Sequence, residues 1–194
     1  MTNYVSLGSQ CSVAYHLKRL NLSQYSYPFD WCKLNIKKLI NVLENNFQDF
    51  SIIKFKKYSL NHKYLIDSEI TNINSIIIQN KYGIEFAHEI TEKYEISEFQ
   101  NKLITRIERF KNLKNPIFIR IENQNLNKDK MLLYEKLENI LKKYFQNFKI
   151  LLISYEKYET DITKWFKLEN FSSDWKYNNV SWEKILLNNY FSDD

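Results

Sequence analysis

The first fifty residues show one strand-like and two helix-like patterns of apolar positions. Asn3–Leu7 (NYVSL) is typical of a short strand, and Gly8–Ser9 supply the turn that follows it. Apolar residues then recur with helical spacing over Cys11–Leu20. A second helix is predicted over Ile36–Phe47, because its apolar residues fall on one face and Asn35 can cap its first turn.

The middle of the chain, residues 51–90, has a mixed pattern in which β-leaning stretches alternate with polar residues. Asn80–Gly83 has the composition of a turn between two such stretches. We interpret this part as short strands and loops. The predicted strands are Ile52–Tyr58, Lys63–Ile66, Ile70–Ile78 and Ile84–His88.

The second half of the chain alternates helices with apolar strands. A capping box formed by Ser97 and Gln100 precedes apolar residues at steps of four and three, which predicts a helix over Glu98–Leu113. The elements predicted after it are a strand at Ile117–Ile121, a helix at Lys130–Tyr144, a strand at Phe148–Ile153 and a helix at Ser181–Tyr190. Strand, helix and strand within roughly 37 residues form a βαβ unit with parallel strands and a right-handed crossover.

These elements predict an α/β fold with a mostly parallel central sheet flanked by helices and a less regular β-rich middle segment. No internal repeat, low-complexity tract or linker interrupts the 194 residues. We therefore expect a single α/β domain spanning residues 1–194. Apolar residues make up 44% of the chain and charged residues 26%, which excludes disorder as its main state.

Charge and cysteine content narrow the class of partner and the cellular setting. The net charge of +5 is small and its basic residues are interleaved with acids, so no nucleic-acid partner is predicted. No apolar run approaches the roughly 20 residues of a membrane span, and the N-terminus lacks the pattern of a signal peptide. Two cysteines cannot form a framework of disulfides, so a cytoplasmic protein is expected.

Glycine and proline are scarce in this sequence. Average usage would give about 14 glycines and about 10 prolines, and the chain has two of each. The glycines and prolines that remain mark either backbone positions that no other residue can occupy or ordinary turns. They are Gly8, Gly83, Pro28 and Pro116. Their segments contain most of the residues suited to nucleophilic or acid–base chemistry, namely Cys11, Cys32, Asp30 and His88.

The turn after the first strand is the leading candidate for a site. Carboxyl ends of parallel strands meet at one edge of a sheet, so we expect Gly8–Cys11 to lie beside Glu122–Asn123. Cys11 falls at the start of a helix, where free N–H groups and the helix dipole stabilise a thiolate. The same N–H groups suit an oxyanion. The alternative is that this turn cradles a phosphate and that Cys11 only packs.

A thiol nucleophile needs an imidazole within hydrogen-bonding reach, and the chain has three histidines. His16 lies five residues after Cys11 on the same helix and faces away from it. His62 is predicted in a surface loop. His88 remains as the candidate base by elimination, with a structural role as its alternative. The orienting third group is left open among Asp30, Glu122 and Asn123.

Other constellations are absent from the sequence. The cysteines and histidines lack metal-ligand spacing, so no metal site is predicted. Neither a phosphate-binding loop, nor a Gly-x-Ser-x-Gly elbow, nor a dinucleotide fingerprint occurs, and no cofactor is predicted. Tyr27–Trp31 (YPFDW) forms either a specificity wall beside Cys11 or a packed turn, and Cys32 is read as a small buried residue.

Asp30 lies between two aromatic residues, so burial should require a partner for its carboxylate. It accepts a hydrogen bond from the Cys11 loop or from His88, or it caps backbone N–H groups as a brace for the turn. We favour the brace, since a bare charge beside Cys11 would oppose the helix-end effect.

The segments SLGSQCSVAYHLKRLNL and YSYPFDW, with VLENNFQDF and KYGIEFAHE, resemble a family of uncharacterised proteins described as papain-like cysteine peptidases. The resemblance covers residues 4–90 well and the rest only as a strand–helix–strand pattern. It implies that Cys11 is the nucleophile and His88 the base. The predicted topology differs from a papain-like core, because a strand leads into Cys11 and a βαβ unit follows. It is closer to an α/β hydrolase or transferase.

Three functions are therefore compatible with the sequence. The first is a thiol-dependent hydrolase or acyltransferase with a Cys11–His88 pair, acting on a small-molecule, peptide or glycan substrate. Its turn and oxyanion residues would be Gly8, Ser9, Gln10 and Ser12. The second is a module that binds a phosphorylated or sugar-nucleotide ligand without covalent chemistry. The third is a glycan-modifying transferase of Rossmann type, with Asp30 or Glu122 as its base.

Overall fold

A computed structural model of the chain describes residues 3–66, 69–86, 96–169 and 174–187. Eight strands and five helices lie in these ranges. They are β1 (Asn3–Ser6), α1 (Ser12–Arg19), β2 (Cys32–Lys33), α2 (Ile36–Glu44), β3 (Ile53–Ile66), β4 (Glu69–Asn80), β5 (Glu85–Phe86), α3 (Ile96–Lys111), β6 (Pro116–Glu122), α4 (Lys128–Tyr144), β7 (Lys149–Ser154), β8 (Thr163–Lys167) and α5 (Trp182–Leu187).

A four-stranded parallel sheet in the order β1-β6-β7-β8 forms the centre of the molecule. Val5 pairs with Phe118, and Phe118 pairs with Ile150. All seven residues of β6 are buried, as expected for an inner parallel strand that is covered on both faces. The predicted βαβ unit is confirmed as β6, α4 and β7, and the α/β fold class is confirmed with it.

The two faces of this sheet carry different cores. One face packs against α2, α3 and α4 and is filled with phenylalanine rings. The Phe47 and Phe110 ring centres lie 5.3 Å apart in a T-shaped contact. The other face packs against α1 and α5 through Leu17 and Trp182. Because side chains alternate along a strand, Phe118 points to the first core and Ile119 to the second.

The second sheet is antiparallel, in the order β2-β5-β4-β3, and corrects our interpretation of the middle segment. Instead of short strands and loops, β3 and β4 form one long hairpin with irregular register between Ser59 and His62. The backbone at His62 is therefore strand and not the predicted loop. No Gly or Pro occurs between Ile53 and Asn80, so nothing in the sequence interrupts the pairing.

Other predicted elements agree with the structure to within a few residues. Asn35 caps α2, because its side chain accepts a hydrogen bond from the Lys38 N–H at 2.9 Å. Helix α3 begins at Ile96, so Ser97 lies inside the helix and is not its cap. The end of the predicted Ser181–Tyr190 helix lies outside the described residues. Within the described ranges, no helix combines the length and apolar character needed to cross a lipid bilayer.

Candidate functional site

The turn between β1 and α1 has a backbone that only a few residues adopt readily. Gly8 has φ +72° and Ser9 has φ +75°, both in the left-handed region that favours glycine. A Cβ atom on Gly8 would lie 2.0 Å from Leu34 Cδ2 and 3.4 Å from the Phe29 carbonyl oxygen. Gly8 therefore satisfies a conformational requirement and a close contact at once, which explains one of the two glycines.

Cys11 is the N-cap residue of α1, and its φ of −72° and ψ of −15° already follow the helix. Its carbonyl accepts the first helical hydrogen bond, from the Tyr15 N–H at 2.9 Å. Cys11 is partly exposed, and neither it nor the buried Cys32 forms a disulfide. The first turn of α1 contains no acidic residue, so the helix dipole acts on the thiol without an opposing charge from that turn.

Two of the residues around Cys11 in the turn are buried. Ser12 is fully buried and Ser9 nearly so. Gln10 is partly buried, as Cys11 is, and its Nε2 donates a hydrogen bond to the Tyr177 hydroxyl at 3.4 Å. The turn is therefore packed on both sides of a partly exposed pair, Gln10 and Cys11.

The YPFDW segment packs directly against this turn. The Phe29 carbonyl that approaches Gly8 also accepts the Cys32 thiol hydrogen at 3.1 Å. Asp30 is 5% exposed, and its Oδ2 accepts a hydrogen bond from the Tyr27 N–H at 2.9 Å. In this contact Asp30 caps a backbone N–H, as in the brace interpretation, and its role toward the candidate base stays a prediction. The contact fixes the segment at the point where Trp31 takes a φ of +58°.

At the end of the neighbouring strand, Glu122 belongs to a buried polar network. Its Oε2 accepts from Arg120 Nη2 at 3.5 Å and from the Tyr134 hydroxyl at 3.4 Å. Arg120 is 1% exposed, and its Nη1 donates to the Leu7 carbonyl at 2.8 Å. Burial raises the pKa of Tyr134, so its hydroxyl stays protonated. The network joins β1, β6 and α4.

The predicted juxtaposition of the two strand ends is therefore confirmed. The Leu7 N–H donates to the Ile119 carbonyl at 2.9 Å, which continues the parallel register of β1 and β6. Gly8–Cys11 and Glu122–Asn123 follow these paired strands at the same edge of the sheet. Asn123 comes directly after β6 and is partly buried.

His88, the candidate base, lies outside the described residues. The described chain before it ends at Phe86, which pairs with Cys32 across β5 and β2. The pairing of the candidate base with Cys11 thus remains a prediction.

His16 has a structural role. It is 2% exposed and stacks on Trp182 with ring centres 4.4 Å apart. Its Nε2 lies 2.7 Å from the Lys176 carbonyl oxygen, and its Nδ1 accepts from Arg19 Nε at 3.2 Å. Burial lowers the pKa of His16 to about 4, against the opposing effect of the Lys176 hydrogen bond. A neutral imidazole fits this pair of contacts.

The segment 174–180, for which the sequence predicted no element, packs against α1. Trp175 makes a T-shaped contact with Tyr15 at 5.5 Å, and the Lys176 amino group lies 4.8 Å from the Tyr15 ring centre. Tyr177 is 1% exposed and has φ +53°, an unusual conformation for a bulky residue. The aromatic-rich sequence DWKYNNVSW was its only signal.

Among the residues that the structure describes, no three His, Cys, Asp or Glu side chains are grouped as a metal ion would require. The polar groups at this edge of the sheet are a thiol, hydroxyls, amides and backbone N–H groups, together with the buried Asp30 and Glu122 carboxylates and the Arg120 guanidinium. The thiol and the N–H groups suit covalent or anion-binding chemistry, and the two carboxylates already accept hydrogen bonds within the fold.

Two comparisons with known proteins bear on this site. Residues 2–158 match the model of a family described as "Putative papain-like cysteine peptidase (DUF1796)". An uncharacterised protein of Acanthamoeba polyphaga mimivirus is 29% identical over 219 aligned positions, which cover 96% of this chain and 98% of that protein. The family match includes the Cys11 turn, the YPFDW segment and the βαβ unit, and it ends before β8.

Proposed function

This chain belongs to the family described as "Putative papain-like cysteine peptidase (DUF1796)", and we propose that it is a thiol-dependent hydrolase or acyltransferase with Cys11 as its nucleophile. The observation that carries the proposal is the position of Cys11. It is a partly exposed cysteine at the N-cap of α1, and the short turn of residues 7–10 joins it to the parallel strand β1. Thiolates form most readily in this environment.

In the proposed reaction, His88 accepts the thiol proton while Cys11 Sγ attacks the carbonyl carbon of the substrate. The carbonyl oxygen becomes an oxyanion, which backbone N–H groups of the Ser9–Ser12 turn stabilise. As the bond to the leaving group breaks, His88 returns the proton to that group and a thioester remains. Water then attacks in a hydrolase, or another acceptor attacks in a transferase, and the thiol is regenerated.

The described contacts support placing His88 near this turn. The Phe29 carbonyl oxygen links Gly8 to Cys32, and Cys32 pairs with Phe86. His88 follows Phe86 by two residues, and two residues of chain span at most about 7 Å. The pairing of Cys32 with Phe86 supports our proposal that His88 acts near the YPFDW segment and the Gly8 turn.

We propose Asp30 as the orienting group. Asp30 lies in the turn two residues before Cys32, and His88 follows the partner of Cys32, Phe86, by two residues in the sequence. The contact from Tyr27 uses Oδ2, and a carboxylate has a second oxygen for an imidazole N–H. Glu122 is a weaker choice because Arg120 and Tyr134 occupy its carboxylate.

The test is acyl-enzyme formation with p-nitrophenyl acetate. We expect a burst of about one p-nitrophenolate per chain, followed by mass spectrometry that places one acetyl group on Cys11. Cys32→Ser should keep the burst, and Cys11→Ser should abolish it. Acetylation spread over lysines, or a burst that survives in Cys11→Ser, would contradict the proposal. Protection of the turn by inorganic phosphate without any acyl-enzyme would support the anion-binding alternative instead.

A further inference from the structure

A groove runs along the opposite edge of the parallel sheet, at the amino end of β1. It consists of two adjoining cavities of about 740 Å³ and 340 Å³ that share Asn3, Tyr25 and Tyr27. One wall is the loop Asn21–Tyr25, and the other is the end of α3 with the connection to β6. Asn3 and Gly8 are five residues apart, or about 17 Å along a strand, so the groove is separate from the Cys11 turn.

The groove is lined by aromatic rings, amides and cations, and no carboxylate is found among its described lining residues. Two of the lining side chains are basic, Arg109 and Lys114. The local field therefore favours an anion, although the net charge of the chain is only +5. The lining amides are Asn3, Asn21, Gln24, Asn112 and Asn115.

Tyr25 and Arg109 form an exposed platform at the centre of the groove. The Tyr25 ring is 57% exposed, and the Arg109 guanidinium carbon lies 4.9 Å from its centre. A guanidinium stacked on a ring keeps its N–H edges available for an oxyanion. Ser23 Oγ donates to the Tyr25 carbonyl at 2.8 Å, which stabilises the loop that carries the ring.

The rest of the lining is held in place by the fold. Asn3 Nδ2 donates to the Lys114 carbonyl at 3.1 Å and ties β1 to the opposite wall. Tyr27 is 7% exposed, and burial, with a smaller effect of Asp30, raises its pKa, so it presents a neutral hydroxyl. The groove thus exists before any ligand binds, which lowers the entropic cost of binding.

We propose that this groove binds an acidic carbohydrate, a sugar chain whose rings carry carboxylates. Amide side chains donate and accept together, which matches neighbouring sugar hydroxyls. The Arg109 fork matches a carboxylate, and the apolar face of a sugar ring can pack on Tyr25. Two cations are too few for a nucleic-acid backbone, which needs a row of phosphate contacts. The proposal does not depend on the thiol chemistry at Cys11.

The test is a calorimetric titration of the whole chain with trigalacturonic acid and with its methyl ester, in which each carboxylate is replaced by an uncharged ester one methyl group larger. We expect saturable binding of the acid and at least about tenfold weaker binding of the ester. Arg109→Gln should weaken binding of the acid by a similar factor, and Tyr25→Ala should weaken binding of both. The matched controls Lys136→Gln and Leu132→Ala alter exposed side chains on α4 and should bind as the unaltered chain does.

Circular dichroism spectra and unfolding midpoints establish that each variant is folded. Equal binding of acid and ester would overturn the charge argument, and equal binding by Arg109→Gln and the controls would overturn the location. If inorganic phosphate binds in the groove as tightly as the trisaccharide does, the sugar ring contributes nothing to the affinity and the proposal is wrong. Absence of saturable binding at millimolar trisaccharide would also overturn the proposal.

Discussion

The ends of β1 and β6 are neighbours in the sheet, but the chemical group at one end is partly exposed and the group at the other is buried. At the end of β1 the chain turns sharply and leaves the Cys11 thiol partly exposed at a helix start. At the end of β6 the Glu122 carboxylate is buried and bound by Arg120 and Tyr134. One strand end presents a reactive group, and the other uses a charged group to hold strands and a helix together.

Position at a sheet edge is therefore not enough to identify a catalytic group. Both residues satisfy the rule that sites gather at carboxyl ends of parallel strands. What separates them is burial: Cys11 is partly exposed, whereas Glu122 is buried and bound within a polar network. Substitutions at the two strand ends, at Asp30 and on the far side of α1 test this difference.

The largest effect is expected for Arg120→Met. It leaves the Glu122 carboxylate buried without its cation and removes the donor to the Leu7 carbonyl. Losing one member of a buried ion pair costs about 3–5 kcal/mol. Urea denaturation should show this loss in the free energy of unfolding. A loss below about 1 kcal/mol would mean that the network is not structural. Glu122→Gln, which retains the hydrogen-bond geometry, should cost less and should leave thiol reactivity unchanged.

The next effect is at the other strand end, in Gly8→Ala. The added Cβ would meet Leu34 and force a non-glycine residue into φ +72°. Backbone strain and overpacking together cost about 2–4 kcal/mol, measurable by the same denaturation. Ser9→Gly is the matched control, because it relieves a φ of +75°. It should be neutral or stabilising, and a substantial loss of stability there would contradict the described turn.

A smaller effect on stability, and a larger one on chemistry, is expected at Asp30. Asp30→Asn keeps an acceptor for the Tyr27 N–H, whereas Asp30→Ala removes it and should cost about 1–3 kcal/mol. If Asp30 orients the base, both variants should lose most acyl-enzyme formation while Asp30→Asn unfolds nearly as the unaltered chain does. Unchanged acylation in Asp30→Asn would leave Asp30 as a brace only.

The smallest effect concerns pH and the far side of α1. The folded pKa of His16, about 4, lies below the ordinary value of about 6.5, so the unfolded chain binds more protons between these values. The contribution of His16 to stability is therefore complete above about pH 6.5 and is lost as the pH falls toward about 4. His16→Phe should show a flatter curve of unfolding free energy against pH in this window. Parallel curves would contradict a buried neutral imidazole.

Local patterns in the sequence predicted much of the architecture. The β1 turn and α1 followed from a few neighbouring residues, and the βαβ unit from apolar spacing in β6, α4 and β7. Strands β2 and β8 were missed because their short, mixed sequences acquire strand structure only by pairing with β5 and β7. The β3–β4 hairpin was predicted only as short strands and loops, since the polar residues in it were taken as strand ends although they do not end a strand that has a pairing partner.

The site was predictable where its geometry is local and hidden where it depends on distant contacts. The helix position of Cys11 follows from the Gly8 turn alone. The Lys176 carbonyl that holds His16 is 160 residues away, and the partners of Arg120 lie on three different segments. A single charge in an apolar strand predicts no particular partner, so the network around Glu122 could not be derived from the sequence.

The most direct test of the central claim is the rate of alkylation of Cys11 by iodoacetamide as a function of pH. We expect Cys11 to react selectively, because Cys32 is protected by burial. Its reaction should remain fast well below pH 8.5, near which an ordinary cysteine ionises, and should slow in His88→Gln and in urea. If Cys11 reacts no faster in the folded chain than in urea, and with the pH dependence of an ordinary thiol, the fold does not activate Cys11 and the proposed nucleophile is wrong.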